Sequence, residues 1–254
     1  MSSPLIEVSG VSKKFTVYRQ HKTLFRLSQS WIKGVPITRE LWALKDVSFS
    51  ISPGEKVGLV GRNGAGKTTL LRILAGIYRP GSGSVRTPED IQALFNYGLG
   101  FNPHLSVADN IYVLGAYQGL TVDEIREKMQ VILEFSSLQD LLYLPAKDLS
   151  SGQKERLLFS VFVQTRSRCL LLDESITLAD LGFQKKSEDW LRQAAESSRT
   201  ILMTSHNLDL LRRHCPRILW LEKGSLIADG ASDGILEEYA RHCLLAENPA
   251  GPKI

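Results

Sequence analysis

Residues 56–69 read Lys56-Val57-Gly58-Leu59-Val60-Gly61-Arg62-Asn63-Gly64-Ala65-Gly66-Lys67-Thr68-Thr69. Val57 to Val60 is a continuous apolar run, the pattern of a strand buried on both faces. The glycine-rich turn that follows opens directly into a helical pattern from Lys67 to Ile77, so Gly61 to Thr68 matches a phosphate loop in the context that loop requires. The glycines let successive backbone N–H groups turn inward, and the helix adds the positive end of its dipole. Hydrogen bonds to charged groups contribute about 1.5–3 kcal/mol each, so several amides and the Lys67 ammonium suit a polyphosphate. Gly61, Asn63, Gly64, Ala65, Gly66, Lys67, Thr68 and Thr69 are the candidate phosphate-binding residues, and the Thr68 hydroxyl is a candidate magnesium ligand. A glycine turn that holds nothing is the plainer alternative.

Downstream, Cys169 to Leu172, Ile201 to Met203 and Ile218 to Leu221 are apolar runs separated by helical stretches, the alternation of a parallel α/β sheet. Asp173 and Glu174 end the first run, at the sheet edge where ligands bind. Beside a phosphate loop, Asp173 is expected to hold magnesium through its water shell and Glu174 to polarise the attacking water as base or positioning group. Ser205 and His206 end the next run. His206 is either an incidental strand-end residue or, at the same edge, a group reaching the γ-phosphate. From Asn96 to about Gly152 the signals are helical, with a Thr121–Glu124 capping box and Ile125, Met129, Ile132 and Phe135 on one face. This predicts a helical subdomain inserted at about 96–165. Within it, Ser150, Ser151, Gly152 and Gln153 precede a helix from Lys154 to Val163; they read as an N-cap and equally as a second anion site.

Upstream, Leu5 to Val17 and Leu41 to Ile51 read as strands, with an insertion at about 19–40 between them. From Lys13 to Arg39 its surroundings are basic and meet no acid until Glu40. Leu24, Leu27 and Trp31 recur at helical spacing beside Lys22, Arg26 and Lys33, which fits a short basic helix lying on a membrane surface or packed on its own domain. At the other end, Ser225 to Ala228 pairs back through Gly224, a helix runs from about Ser232 to Leu245, and 246–254 reads as a frayed tail. One domain is expected over 1–245.

The whole chain has 254 residues, 43% hydrophobic and 23% charged, with a net charge of +4. That surplus is too small to argue for nucleic acid. Its three cysteines, Cys169, Cys215 and Cys243, are far apart, unlike a zinc site or redox dithiol. The N-terminus meets Glu7 before any apolar stretch, which predicts no signal peptide and a cytoplasmic start. No run approaches the ~20 apolar residues of a membrane span.

The order GRNGAGKTT, LSSGQ, LLLDE and SH resembles the nucleotide-binding domain of ABC transporters over nearly the whole length. The resemblance implies an α/β fold of the P-loop NTPase class: a mostly parallel sheet core, an N-terminal antiparallel β subdomain and the inserted helical subdomain. It implies ATP and Mg2+ as ligands, and a head-to-tail dimer in which Ser150 and Gly152, with Ser151 and Gln153, serve the partner's ATP. It also places Phe15, with Trp42 as substitute, against adenine and Asp180 in a loop crossing the dimer. A finer resemblance is to the ATPases that export bacterial polysaccharides such as O-antigen, capsule and teichoic acid. It rests on the insertion ending in LWALKDVSF, on Ser150 to Leu157, on Asp180, Phe183, Gln184 and Lys186, and on Tyr97 to Ile111.

This implies a peripheral subunit on the cytoplasmic face of the bacterial inner membrane, with a separate membrane-spanning permease that carries the glycan. Asn96 stands where most of the family has glutamine and the polysaccharide group commonly an acid; its amide is the candidate metal contact of that loop, able to hydrogen-bond but not to neutralise charge. Longer members carry a C-terminal sugar-binding domain, for which this chain is expected to be too short. An ABC ATPase for another substrate, a soluble ABC ATPase working on DNA or the ribosome, and a phosphate-loop kinase are the rival readings.

Overall fold

The computed structural model describes residues 3–18, 38–95, 100–173 and 181–247. The expectations for the insertion at 19–37, for Asn96, Glu174 and Asp180, and for the last residues of the tail lie outside the described residues. β1 (Ile6–Tyr18) and β2 (Thr38–Ile51) form a long antiparallel pair, with Ile6 opposite Ile51 and Tyr18 opposite Thr38. The insertion is therefore shorter than 19–40. Thr38, Arg39 and Glu40 belong to β2, and Glu40 reaches across the pair to Lys14 at 2.7 Å, so the acid that ends the basic run is paired within the sheet.

β3 (Lys56–Val60) leads into α1 (Lys67–Leu74), which stops short of Ile77 because Gly76 turns the chain with φ 72°. Two short strands follow, β4 (Ser82–Arg86) and β5 (Ile91–Leu94), which sequence reasoning does not anticipate. β4 reads SGSVR and is mostly exposed; its pairing with the free edge of β1, rather than any periodicity of its own, makes it a strand.

β6 (Cys169–Asp173), β7 (Thr200–Thr204), β8 (Arg217–Glu222) and β9 (Ser225–Ala231) complete the larger sheet. Its order is β5-β6-β7-β3-β8-β9, six strands of which only β9 runs antiparallel, beside a three-stranded sheet β2-β1-β4. Period-two alternation assigns each buried strand to two cores. Val57, Leu59, Cys169, Leu171, Leu202, Leu219 and Leu221 pack with α1 and the smaller sheet. Val60, Leu170, Leu172, Ile201, Met203, Ile218 and Trp220 pack on the opposite face.

Between β5 and β6 the chain builds the expected helical subdomain from α2 (Val107–Tyr117), α3 (Val122–Ser136) and α4 (Ser151–Phe162). The Thr121–Glu124 capping box forms as expected. α4 joins this subdomain to the sheet: Leu157 and Val161 enter the helical core, while Phe159 and Phe162 enter the core beneath the sheet. The remaining helices are α5 (Leu181–Glu196), α6 (Leu208–His214) and α7 (Ser232–Glu247). Cys169 and Cys215 are buried and unpaired, and burial pushes both thiols up to about 12, which leaves them chemically quiet.

Candidate functional site

Register brings the site residues to one edge. Leu59 of β3 lies level with Thr204 of β7, and Thr204 with Asp173 of β6, so the phosphate loop, Asp173 and Ser205–His206 all emerge at the same carboxyl ends. β5 ends there as well, its Leu94 level with Leu172.

The loop itself is shaped by close backbone approach. Gly66 sits at φ 111°, and a Cβ there would meet the Ala43 carbonyl at 2.5 Å; a Cβ on Gly61 would collide with the Leu221 carbonyl. The turn Lys223–Gly224 closes the third side. Gly224 donates its N–H to the Ala65 carbonyl at 3.0 Å, and Lys45 donates to Gly224 at 2.8 Å, locking loop, hairpin and β2 together. This packing sets Leu41, Trp42 and Ala43 against the loop. The result is a cavity of about 420 Å³ lined by Asn63 to Thr69 together with Phe15, Leu41, Trp42 and Ala43.

Inside it, Lys67 is 7% exposed and its ammonium donates to the Gly61 carbonyl at 2.7 Å. The lysine thus closes the loop on itself. Both aromatics singled out in the sequence line the cavity, in different states. Phe15 is half-buried and packs edge-on against Tyr78, 5.7 Å between centroids, while Trp42 is 47% exposed with the Lys14 ammonium 5.7 Å from its ring centre.

At the strand end, Asp173 is 6% exposed and its Oδ1 accepts the Thr204 hydroxyl at 2.9 Å. Thr204 thereby fixes the rotation of the carboxylate. Thr68 and Asp173 offer hydroxyl and carboxylate oxygen, the donors a hard cation such as magnesium takes. His206 is exposed at the same edge, in the turn that leads through Asn207 into α6.

Ser150 caps α4. Its Oγ accepts the Gln153 N–H at 3.2 Å and the Gln153 side chain returns a bond to the Ser150 N–H at 2.8 Å, a complete capping box. The helix begins at Ser151, three residues before the expected Lys154. Ser150 and Ser151 are exposed, and none of Ser150–Gln153 lines the cavity at the phosphate loop. Two anion-ready helix ends therefore stand on one chain, and the first has a cavity built around it.

The ABC transporter family model matches residues 44–177. An O-antigen export system ATP-binding protein of Klebsiella pneumoniae is 35% identical over 93% of this chain and 97% of its own length. A teichoic acids export ATP-binding protein of Levilactobacillus brevis is 32% identical over 92% of this chain and 64% of its own. Among solved structures, a dimeric post-hydrolysis ATP-binding cassette bound to ADP and Pi superposes with a TM-score of 0.68 at 19% identity, covering 90% of this chain and 99% of that one. The chain belongs to the ABC transporter family. Its fold is that of the family's ATP-binding cassette, and the α/β architecture, the antiparallel N-terminal sheet and the inserted helices expected from the ABC resemblance are all present.

Sequence reasoning missed Thr204, Tyr78 and the Gly224 clamp. Thr204 carried a usable signal, since it occupies the same strand-end position as Asp173 one strand away. The other two carried none, because Tyr78 and Gly224 are brought to the site by turns. The run Phe183, Gln184 and Lys186 finds a structural setting within the cassette. Phe183 packs edge-on with Phe135 and Phe159, and Lys186 donates to the Phe135 carbonyl at the end of α3, so α5 is fastened to the helical subdomain.

Proposed function

We propose that the chain is the ATP-binding and ATP-hydrolysing subunit of an exporter that moves a lipid-linked polysaccharide of the O-antigen, capsule or teichoic acid type across the cytoplasmic membrane. The observation that carries the ATPase reading is the cavity of about 420 Å³ in which the phosphate loop faces Trp42 and Phe15, polyphosphate seat and base platform side by side. The polysaccharide reading is supported by relatives that bear O-antigen and teichoic acid export names at 30–35% identity over most of the chain.

In this reading the amides of Gly61 to Thr69 and the Lys67 ammonium hold the β and γ phosphates, and the aromatic walls hold adenine. Thr68 and Asp173 would hold magnesium, Asp173 through water, with Asn96 as a further contact from its loop; the ion would supply charge neutralisation at the phosphates. Glu174 orients the attacking water and accepts its proton, and His206 steadies the γ-phosphate. Ser150 already accepts one hydrogen bond from its own helix, which leaves its O–H to donate outward. A second copy of the chain, docked head to tail, receives that donor together with Gly152 and Gln153 on its own ATP, and Asp180 crosses between the copies. The dimer works on a separate permease as a peripheral subunit at the inner face of the membrane.

Deleting the gene and restoring it as wild type or Glu174→Gln tests both levels. Surface glycan, read by gel and lectin binding, should vanish on deletion and return only with the wild type. The purified Glu174→Gln protein should bind ATP, hydrolyse it poorly and accumulate as a dimer on size-exclusion chromatography. Normal surface glycan after deletion refutes polysaccharide export, and normal hydrolysis by Glu174→Gln refutes that residue's role.

A further inference from the structure

The loop that leads into α2 and the segment that precedes Ser150 are bonded into one block. A helix leaves its first backbone N–H groups without helical partners, and two of those of α2 are taken by this segment: Val107 donates to the Leu144 carbonyl at 3.0 Å and Ala108 to the Leu142 carbonyl at 2.9 Å. In return, the carbonyls of Pro103 and Leu105 accept the N–H groups of Lys147 at 2.7 Å and Ala146 at 2.8 Å. Ala146 and Leu149 are buried in the helical core, so the segment is held by the loop on one side and by packing on the other. Lys154, one turn into α4, donates its ammonium to the Lys147 carbonyl at 3.3 Å. The exposed Ser150 stands at the end of this block.

The loop itself is organised by Asn110 of α2, a side chain with 0% exposure. Its Oδ1 accepts the Asn102 N–H at 2.8 Å, and its Nδ2 donates to the carbonyls of Asn102 and Ser106, both at 2.9 Å, and lies 3.3 Å from that of Leu105. A short irregular loop cannot pair these backbone groups as a helix or strand would, and a buried polar group left without a partner costs about 1–3 kcal/mol. The amide meets the need because it carries donor and acceptor together, which neither a carboxylate nor an apolar side chain of the same size does. The Leu105 carbonyl is thus reached from both sides, by Asn110 and by the Ala146 N–H. At the surface the exposed Asn102 accepts the His104 N–H on its Oδ1 at 3.0 Å, which closes the turn.

We propose that Asn110 is a positioning residue for Ser150: by holding the carbonyls of Asn102 and Ser106 inward it sets the carbonyls of Pro103 and Leu105 to which Lys147 and Ala146 are tied, and so fixes the segment from which Ser150 reaches the ATP of a second copy. The proposal rests on the reading of Ser150 as a group that serves the partner's nucleotide. Asn110→Ala should lower kcat about five- to tenfold, the size of one net hydrogen bond, while equilibrium binding of ATP to the separated chain stays within about twofold of wild type, because the phosphate loop is untouched. Amide exchange read by mass spectrometry should quicken in the peptide covering 142–150 and stay as before in the peptide covering the phosphate loop.

A double-mutant cycle with Ser150→Ala decides whether the effect passes through the serine. If Asn110 acts by placing Ser150, the double variant turns over no more slowly than Ser150→Ala alone. If Asn110 merely supports the subdomain, the same five- to tenfold loss recurs on top of the Ser150→Ala loss, and the proposal is overturned. Asn102→Ala removes the surface bond to His104 without opening the core, so it guards against a folding defect in Asn110→Ala; it should lower kcat about two- to threefold and vanish in the same way in the Ser150→Ala background. A wild-type kcat in both Asn110→Ala and Asn102→Ala also overturns the proposal. Ser150→Ala by itself separates the two levels: full activity there refutes the role given to Ser150, whereas its loss beside an additive Asn110→Ala refutes only the positioning role.

Discussion

The phosphate loop and Ser150–Gln153 present the same chemistry in opposite surroundings. Each places glycine and a hydroxyl residue at the N-terminus of a helix, where unpaired N–H groups and the helix dipole favour an anion. The first is enclosed: β2, the Gly224 turn and the aromatics wall it into a cavity, and Lys67 is nearly buried. The second is an exposed cap whose serine and glutamine satisfy each other. A helix end without a cavity and a base platform around it is half a site. The difference is what a composite site shared between two copies requires, with one surface to hold the nucleotide and another to close on it.

The sharpest way to break that comparison is to disable each half separately and mix. Lys67→Ala and Ser150→Ala should each lower ATPase activity by ~100-fold or more, as loss of a transition-state donor does. If Ser150 acts on the partner's ATP, mixing the two variants pairs an intact loop with an intact Ser150 at one of the two sites, and activity should recover well above either variant alone. Absence of recovery would mean that the two segments serve one site in the same chain. Ser150→Ala also loses a cap, about 1 kcal/mol, so its thermal midpoint should fall by about 2–4 °C while ATP affinity of the monomer stays put.

A smaller effect is expected inside the enclosed half. Thr204→Val is nearly isosteric and removes the bond that orients Asp173. Activity should drop about tenfold, the worth of one hydrogen bond to a charged group, and more magnesium should be needed for half-maximal rate. An unchanged magnesium requirement would dissociate Asp173 from the metal.

The same contrast explains how much was legible in the sequence. The buried strands announce themselves as apolar runs, and the loop as glycines between one such run and a helix; both signals are local. Caps are local too: the Thr121 capping box and the Ser150 N-cap form as expected. What was hidden depends on neighbours distant in the chain. β4 is a strand because β1 has a free edge, Thr204 matters because register puts it beside Asp173, and Gly224 reaches Ala65 of the phosphate loop from a hairpin distant in the chain. The aromatic wall was half legible: the family resemblance put Phe15 first with Trp42 as its substitute, and nothing in either residue's local context decides between them.

Their surroundings differ in the structure, and this gives the most modest prediction. Phe15 already spends an edge contact on Tyr78 and has Lys13 5.4 Å from its ring centre, whereas Trp42 turns an exposed ring to the cavity rim. A larger π-face with less prior packing makes the better platform for adenine, and stacking of a base on an aromatic is worth about 1–3 kcal/mol. Trp42→Ala should therefore raise the KM for ATP several-fold, Phe15→Ala should raise it less and lower the melting temperature more, and inhibition by tripolyphosphate, which has no base, should stay at the wild-type level in both. A larger KM change in Phe15→Ala would reverse the order and make Phe15 the platform. Equal losses against tripolyphosphate would show instead that either ring acts by shaping the phosphate loop, since a competitor without a base can only report on the phosphate seat.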